Sequence, residues 1–184
     1  IGHPVSWIVH AIRMIEARLN SANTSPARLR LLGGVGVCLV LALAVLPVIV
    51  VAAVLPSGWA GYVVGGLLAW PFLAPRSLFD HVQAVATPLI QGDIAGARYA
   101  VSMIIGRDPD QLDAAAIARA SIESLAENAS DGVVAPVFWG VLLGLPGLVA
   151  YKAINTMDSM IGHRSARYRH YGMVAARLDD LVNL

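Results

Sequence analysis

The sequence contains 184 residues, of which 57% are hydrophobic and 14% are charged, and its mean hydropathy is +0.67. Soluble domains carry about 25% charged residues, so this composition argues against an ordinary water-soluble globular protein. The net charge is +1, and no basic tract suggests nucleic-acid binding. Residues 31–75 and 132–151 contain no Asp, Glu, Lys, Arg or His. Apolar runs of this length predict an integral membrane protein.

An amphipathic helix is predicted within the N-terminal segment, residues 1–30. Over residues 3–19, apolar side chains recur at steps of three and four, which is the spacing of one helix face. Arg13, Glu16 and Arg18 fall away from that face, on the polar side. The apolar face comprises Val5, Ile8, Ile12, Ile15 and Leu19.

Residues 31–75 predict a transmembrane hairpin. The first arm, residues 31–55, would form an α-helix about 37 Å long, against a hydrocarbon core of about 30 Å. A Pro-Ser-Gly turn joins it to a shorter apolar arm at residues 59–74. Three aromatic residues of the second arm suit the membrane–water interface, namely Trp59, Tyr62 and Trp70.

Residues 76–131 predict helices outside the membrane. No part of the chain shows the alternation of a strand, so the predicted fold class is all-α. One helix is expected over residues 94–105, with Asp93 as its N-cap and Gly106 at its end.

The third apolar run, residues 132–151, is interrupted by residues that tend to break helices. In lipid, the backbone groups freed by a break must be satisfied by protein or by enclosed water. A plain membrane span is one interpretation, but a broken or re-entrant pair of short helices fits the spacing of these residues better. They are Pro136, Gly140, Gly144, Pro146 and Gly147.

The distribution of Arg gives a separate test of topology. Residues 1–30 and 152–171 are both rich in Arg, and basic flanks favour the cytoplasm. Both flanks face the cytoplasm only if the chain crosses the membrane an even number of times between them. Three apolar runs make an odd number, so either 59–74 or 132–151 does not cross.

An acidic stripe is expected on a helix over about residues 111–130, with Asp108 or Asp110 as its N-cap. Positions four apart advance by about 40° around a helix, so such residues share one side. One interpretation is a solvated face with an i,i+4 ion pair, and the other is a carboxylate cluster that binds Mg²⁺ and phosphates. The stripe comprises Arg119, Glu123, Glu127 and Asp131, is extended by Ser124 and Asn128, and lies opposite Ala118, Ile122, Leu125, Ala126 and Ala129.

A polar helix face follows the third apolar run. Ionisable residues beside a membrane segment point to a functional site, although an interfacial amphipathic helix explains the same pattern. The polar face comprises Lys152, Thr156, Ser159 and His163, with Asn155 and Asp158 beside them and Ala153, Met157, Met160 and Ile161 opposite.

A basic loop at residues 162–172 and a mixed-charge cluster complete the chain. The guanidinium groups of Arg164 and Arg167 suit phosphates and carboxylates, and a positive-inside juxtamembrane loop is equally supported. The cluster after it suits an anion or metal site, or an ordinary surface helix. It comprises Arg177, Asp179, Asp180 and Asn183.

Six ordered motifs carry a resemblance to a known family. They are HPV at residues 3–5, LFDHVQAV at 78–85, GDIAGARYAVSMIIGRD at 92–108, ARASIESLAEN at 118–128, YKAINTMDSMIGHRSARYRHYG at 151–172 and ARLDDLVN at 176–183. In this order they resemble the membrane-bound adenosylcobinamide-phosphate synthase family of cobalamin biosynthesis. That family carries further sequence before HPV and after ARLDDLVN, so we expect this chain to be a fragment truncated at both ends.

The resemblance implies an ATP-dependent amide ligation. Aminopropanol or its phosphate would be joined to adenosylcobyric acid, giving adenosylcobinamide or its phosphate. A carboxylate is a poor acylating agent, so ATP would phosphorylate it before the amine attacks. This chemistry calls for Mg²⁺, for cations that hold the phosphates and for a base that takes the ammonium proton. Residues 76–184 would form the helical catalytic region of a single membrane-embedded domain, residues 1–184.

Given this chemistry, we assign hypothetical roles to the residues described above. The catalytic set would be Glu123, Glu127, Asp131 and Lys152, with Glu127 and Asp131 as metal ligands. Lys152, Arg164 and Arg167 would hold phosphates, and Asn155, Asp158 and Ser159 would orient substrate. Asn128 and Tyr168 are further binding candidates, and Arg177, Asp179 and Asp180 are second candidates for the metal and anion positions.

Because ATP is cytoplasmic, the resemblance implies a site that faces the cytoplasm from a polytopic protein of the cell (inner) membrane. Residues 132–151 would then be the segment that does not cross. The expected partners are the corrinoid and aminopropanol substrates and the lipid bilayer, without nucleic acid. Two alternatives stay open: a non-catalytic membrane signalling or sensor protein of the same superfamily, and a corrinoid transporter. The sequence leaves the oligomeric state and the phosphorylation of the amine open.

Overall fold

The computed structural model describes residues 3–105 and 108–183, and within these ranges every regular element is helical. This confirms the all-α class. The chain divides into two compact units, Ile1–Leu73 with Ala135–Leu184, and Ala74–Val134. In chain order the elements are α1 (Pro4–Leu19), α2 (Pro26–Ala53), α3 (Trp59–Ala69), a 3₁₀ turn (Trp70–Phe72), α4 (Pro75–Ile90), α5 (Ile94–Ser102), α6 (Ala114–Ala129), a π-helix (Ser130–Val134), α7 (Ala135–Ile161) and α8 (Met173–Val182).

Helix α1 is the amphipathic helix predicted from the sequence. The imidazole Nδ1 of His3 accepts a hydrogen bond from the N–H of Val5, and Pro4 lies in the first turn, where a helix needs no backbone donor. Its apolar side packs against α2 and α7 and forms the core of the first unit. The buried side chains of this core include Ile8, Ile12, Ile15, Val37, Val40, Ala153 and Met157.

Helix α2 is one of two segments among the described residues that are long and apolar enough to cross a membrane. It begins at Pro26, earlier than the expected start at residue 31, because Pro is favourable in the first helical turn. Its 28 residues correspond to a length of about 42 Å. The other segment, Ala114–Ile161, covers α6, the π-helix and α7.

The second arm of the expected transmembrane hairpin is shorter than the sequence predicts. Helix α3 has 11 residues and is followed by a 3₁₀ turn, since Pro71 supplies no N–H to continue the α-helical ladder. At about 1.5 Å per residue, this helix is about 16 Å long, against about 30 Å of hydrocarbon core. It is not one of the two candidate spans.

Helix α7 contains the break that was predicted for the third apolar run. Gly144 has φ 68° and ψ −163°, a conformation outside the helical range that Gly adopts readily. The segments on either side come together: a Cβ on Gly140 would lie 3.3 Å from Cδ1 of Leu148, and one on Gly147 would lie 2.5 Å from the carbonyl oxygen of Trp139. The chain therefore folds back sharply within α7.

The second unit packs α4, α5 and α6 around a small apolar core. Asp93 caps α5 as predicted, because its carboxylate accepts a hydrogen bond from the N–H of Gly96 at 2.9 Å. Helix α5 ends at Ser102 rather than 105, and the expected stop at Gly106 lies outside the described residues. The core comprises Val85, Ala97, Val101, Ile117 and Ala120.

The N-cap expected for α6 is wrong. Asp113 caps this helix, and its carboxylate accepts a hydrogen bond from the N–H of Ala116 at 2.7 Å. Asp108 instead accepts a hydrogen bond from the N–H of Asp110 at 2.9 Å. Both Asp108 and Asp110 are therefore part of the loop before the helix.

Candidate functional site

Of the three carboxylates in the acidic stripe of α6, two are exposed and one is half-buried. Glu123 and Glu127 are exposed, whereas Asp131 is half-buried within the π-helix that begins at Ser130. A π-helix has more residues per turn than an α-helix, so Asp131 departs from the regular spacing of the stripe. Among residues 3–105 and 108–183, no group of three or more His, Cys, Asp or Glu side chains is placed to hold a metal ion. A metal site at Glu127 and Asp131 stays a prediction.

The buried side of α6 differs from the one expected. Ile122, placed on the apolar side by its spacing, is 66% exposed, whereas Ser124 is buried. The reason is tertiary: α6 packs on α4 and α5, and the Ser124 hydroxyl donates a hydrogen bond to the carbonyl oxygen of Ile104 at 3.1 Å. The Asn128 amide donates to the carbonyl oxygen of Ser124 at 2.8 Å. Ser124 and Asn128 thus support packing within this unit.

The polar face at the end of α7 is partly enclosed. Asn155 and Thr156 are buried, Lys152 and Asp158 are half-buried, and Ser159 is exposed. The hydroxyls of Thr156 and Ser159 each donate to a carbonyl oxygen one turn earlier, at 2.6 and 3.0 Å. The opposite face is buried as predicted at Ala153, Met157 and Ile161, with Met160 half-buried.

The basic loop, residues 162–172, forms an ion pair that was not evident from the sequence. The Arg167 Nε and Nη2 atoms donate to the two carboxylate oxygens of Glu16, at 2.9 and 3.0 Å. Glu16 was expected on the polar side of α1, but only 7% of it is exposed. The expectation is wrong because the loop, far along the chain, lies against this part of α1. Arg164 in the same loop is exposed.

Asn20 and Tyr168 complete the surroundings of this ion pair. The Asn20 amide donates to Glu16 Oε1 at 2.9 Å and to the Arg167 carbonyl oxygen at 3.2 Å. The Arg167 guanidinium carbon lies 5.5 Å from the centre of the Tyr168 ring. Hydrogen bonding to Glu16, and then its negative charge, raise the pKa of Arg167, so this side chain is a permanent cation.

Tyr171 anchors the same loop to α2. A Cβ on Gly33 would collide with the Tyr171 carbonyl oxygen, and one on Gly36 would lie 2.6 Å from the Tyr171 hydroxyl oxygen. Tyr171 as a whole is 2% exposed. Burial, and then the negative charge of Glu16, raise the pKa of Tyr171 to about 12. The two glycines therefore allow a close approach that no other residue type would permit.

The sequence contained signals for the ion pair at Glu16 and for the packing of Tyr171 on α2. Glu16 lies one helical turn after Ile12 and next to Ile15, at the edge of the apolar side. Gly33 and Gly36 lie in an apolar run as a pair of small residues on one helix face, which allows close packing of another segment.

The mixed-charge cluster of α8 divides between surface and interior. Arg177 and Asp180 are exposed, whereas Asp179 is buried, and its Oδ2 accepts a hydrogen bond from the Asn183 amide at 3.0 Å. The Asn183 Oδ1 accepts one from the Tyr151 hydroxyl at 2.8 Å. These bonds tie the end of α8 to α7.

A small cavity of about 280 Å³ lies beside the ion pair. It combines apolar walls with a cation, a carboxylate and an aromatic ring. Its lining residues are Ile12, Arg13, Glu16, Met160, Ile161 and Tyr168.

Comparison with known proteins gives one consistent family. The family model described as CobD/Cbib protein matches residues 1–184. Proteins named "Cobalamin biosynthesis protein CobD" are similar to the whole chain: 59% identity in Rhodobacter capsulatus, 49% in Rhizobium meliloti (strain 1021) and 50% in Brucella suis biovar 1 (strain 1330). The chain covers 58%, 57% and 56% of these relatives, a little over half of their length. No solved structure matches the chain. The chain belongs to the CobD/Cbib family.

Proposed function

We propose that this chain is part of an enzyme of cobalamin biosynthesis that forms an amide bond at the expense of ATP. The reaction would join aminopropanol or its phosphate to adenosylcobyric acid. The observation that carries the proposal is the match of the family model to the whole chain, together with relatives named for cobalamin biosynthesis. Because these relatives are longer than the chain, the activity is proposed for the full-length protein.

The reaction would proceed in two steps. A substrate carboxylate oxygen attacks the terminal phosphorus of ATP, giving an acyl phosphate and ADP. The amine nitrogen then attacks the acyl carbon, inorganic phosphate leaves, and a base takes the ammonium proton. Cationic side chains would stabilise the charge that develops on the phosphoryl oxygens.

The α6 carboxylates would serve as base and as ligands of Mg²⁺. Exposed Glu127 and half-buried Asp131 fit this ion, which usually takes one or two protein carboxylates and completes its shell with water and phosphate oxygens. When bound, Mg²⁺ would neutralise phosphate charge. Glu123, one turn before Glu127, would be the second candidate for the base.

The cations of the first unit would hold the phosphate groups. Lys152 is half-buried near the end of α7, and Arg164 is exposed in the basic loop. The Arg167 side chain stays largely exposed despite its ion pair. Asn155, Asp158 and Ser159, on the same helix as Lys152, would orient the substrates.

Arg177 and Asp180 would be further anion and metal candidates at the surface, and Asp179 stays a weaker candidate because it faces inward.

The protein would cross the cell (inner) membrane more than once, with its active site on the cytoplasmic side. The sharp fold at Gly144 supports residues 132–151 entering and leaving on one side. Residues 59–72 would then be the second crossing, although as a helix and a 3₁₀ turn they reach about 22 Å, so the bilayer must thin there. Trp59 and Trp70 are exposed near its two ends, as suits interfacial aromatic residues.

Labelling with a membrane-impermeant maleimide tests this topology. Cys38 is exposed, so it is first replaced by Ala. Single cysteines at the exposed positions Ala115 and Ser165 should then both react from the cytoplasmic face. Labelling of these two positions from opposite faces would contradict the proposal.

Two substitutions test the proposed function. In a full-length protein that contains this chain, Glu127→Gln and Lys152→Ala should each lower amide formation from adenosylcobyric acid, ATP and the amine. Unchanged product formation would discard these residues from the site. A wild-type protein that forms no amide but carries corrinoids into vesicles would favour a transporter, and one that does neither would favour a sensor.

A further inference from the structure

We propose that Glu16 is a positioning residue that orients Arg167 toward a phosphate group of a substrate. The inference rests on the proposed function, because it names how one binding residue of that site is held. Glu16 itself would touch no substrate. Its role would be to fix the plane and direction of the guanidinium.

The geometry of the ion pair supports orientation rather than simple charge pairing. A guanidinium is a planar fork with five N–H donors. Its Nε and Nη2 edge meets both carboxylate oxygens of Glu16, at 2.9 and 3.0 Å. Two parallel bonds of this kind fix the plane of the fork, which a single contact does not.

The two partners differ in exposure. The Glu16 side chain is 9% exposed, whereas the Arg167 side chain is 63% exposed. The third guanidinium nitrogen, Nη1, lies on the opposite edge from the one that meets Glu16. A buried carboxylate therefore holds one edge of a cation whose side chain is largely exposed to solvent.

Glu16 is itself held in place. The Asn20 amide donates to Glu16 Oε1, at 2.9 Å, and to the Arg167 carbonyl oxygen, at 3.2 Å. The carboxylate and the backbone of Arg167 thus share one donor. The loop is anchored independently where Tyr171 packs against Gly33 and Gly36, so we expect it to stay folded when Glu16 is changed.

A kinetic experiment separates positioning from structural support. In the full-length protein, Glu16→Gln should raise the KM for a phosphate-bearing substrate about tenfold and change kcat less than twofold. A rise in the KM for ATP alone assigns ATP to Arg167, and a rise for aminopropanol phosphate, with no rise for aminopropanol, assigns the amine. Asp80→Asn, which breaks an exposed Arg–carboxylate pair in α4, is the matched control and should leave both constants unchanged.

The charge-exchanged variant Glu16→Arg with Arg167→Glu gives a second readout. It can re-form the pair and keep the wild-type resistance of the loop to protease, but it presents a carboxylate to the substrate, so the KM should stay raised. Recovery of the KM together with protease resistance would overturn the inference. The inference would also be overturned if Glu16→Gln left the KM of every substrate unchanged.

Binding measurements keep this inference distinct from the proposed function. Amide formation by the wild-type protein tests the function alone. Calorimetric titration with ATP, aminopropanol phosphate and inorganic tripolyphosphate tests Glu16 whether or not product forms. Wild-type binding that weakens about tenfold in Glu16→Gln supports the inference. Equal affinity of the two proteins, or no binding of any of these anions by the wild type, overturns it.

Discussion

The basic loop and the acidic stripe of α6 present charge in different ways. Arg167 is held by a carboxylate that lies 151 positions earlier in the chain, and Tyr171 of the same loop packs against glycines of α2. Glu123 and Glu127, in contrast, lie at exposed positions of one helix. The loop obtains its geometry from tertiary contacts, whereas the stripe obtains it from helical periodicity. Substitutions should therefore affect stability and activity together in the loop, and activity alone in the stripe.

The largest expected effect is a loss of activity, without a loss of stability, when a residue of the acidic stripe is changed. Glu127→Gln should lower kcat for amide formation about 100-fold, because it removes a carboxylate that would serve as a Mg²⁺ ligand or as the base. The free energy of unfolding should change by less than about 0.5 kcal/mol, as is usual for a surface substitution. Kinetic assay and denaturant unfolding of the same preparation check both values. A large loss of stability would show that the stripe has a structural role instead.

Enlarging Gly33 tests the tertiary anchor of the loop. Gly33→Ala places a Cβ against the Tyr171 carbonyl oxygen, and overpacking of this kind typically costs about 1–3 kcal/mol. Thermal unfolding in detergent should show the loss. Gly34→Ala is the matched control, because the nearest atom to its Cβ is a Val174 methyl at 3.8 Å. Equal stability of the two variants would contradict the close packing of Tyr171.

Alkaline pH should weaken the same anchor. Because the pKa of Tyr171 is raised from about 10 to about 12, the folded protein holds the phenol proton more tightly than the unfolded chain does. The free energy of unfolding should therefore fall as the pH rises from about 10 to about 12. The free energy of unfolding should depend less on pH over this range in Tyr171→Phe, because this variant has no phenol proton. An unchanged slope would show that Tyr171 does not contribute to the fall.

The smallest effect is expected at an exposed ion pair. Arg76 Nε lies 3.1 Å from Asp80 Oδ1, with side chains 86% and 53% exposed, and such pairs typically contribute about 0–1 kcal/mol. Asp80→Asn should thus have little effect on the unfolding midpoint, whereas Glu16→Gln should lower it measurably. Equal shifts would remove the distinction between the anchored and the exposed pair.

Periodicity and local chemistry predicted much of the fold. The stripe of Ile8, Ile12 and Ile15 indicated α1, Asp93 indicated the start of α5, and the Pro and Gly residues indicated the break near Gly144. Each of these features depends on neighbours within a few positions. The family itself was also evident from the order of the motifs.

Features set by distant parts of the chain could not be predicted in this way. The burial of Glu16 depends on the loop that carries Arg167, and the burial of Ser124 depends on a bond to the Ile104 carbonyl oxygen. The buried side of α6 follows from how it packs on α4 and α5, not from its apolar residues alone. Glu16, through its ion pair with Arg167, is the residue that the structure adds to the candidate site.

Product analysis of the full-length protein tests the proposed function most directly. Membranes that contain it are incubated with adenosylcobyric acid, aminopropanol or its phosphate, ATP and Mg²⁺, and corrinoids and nucleotides are quantified by mass spectrometry. The proposal predicts one amide product and one ADP for each carboxylate consumed, with both formed far more slowly by the Glu127→Gln protein. Corrinoid left unchanged by the wild-type protein, with no ADP formed, would contradict it.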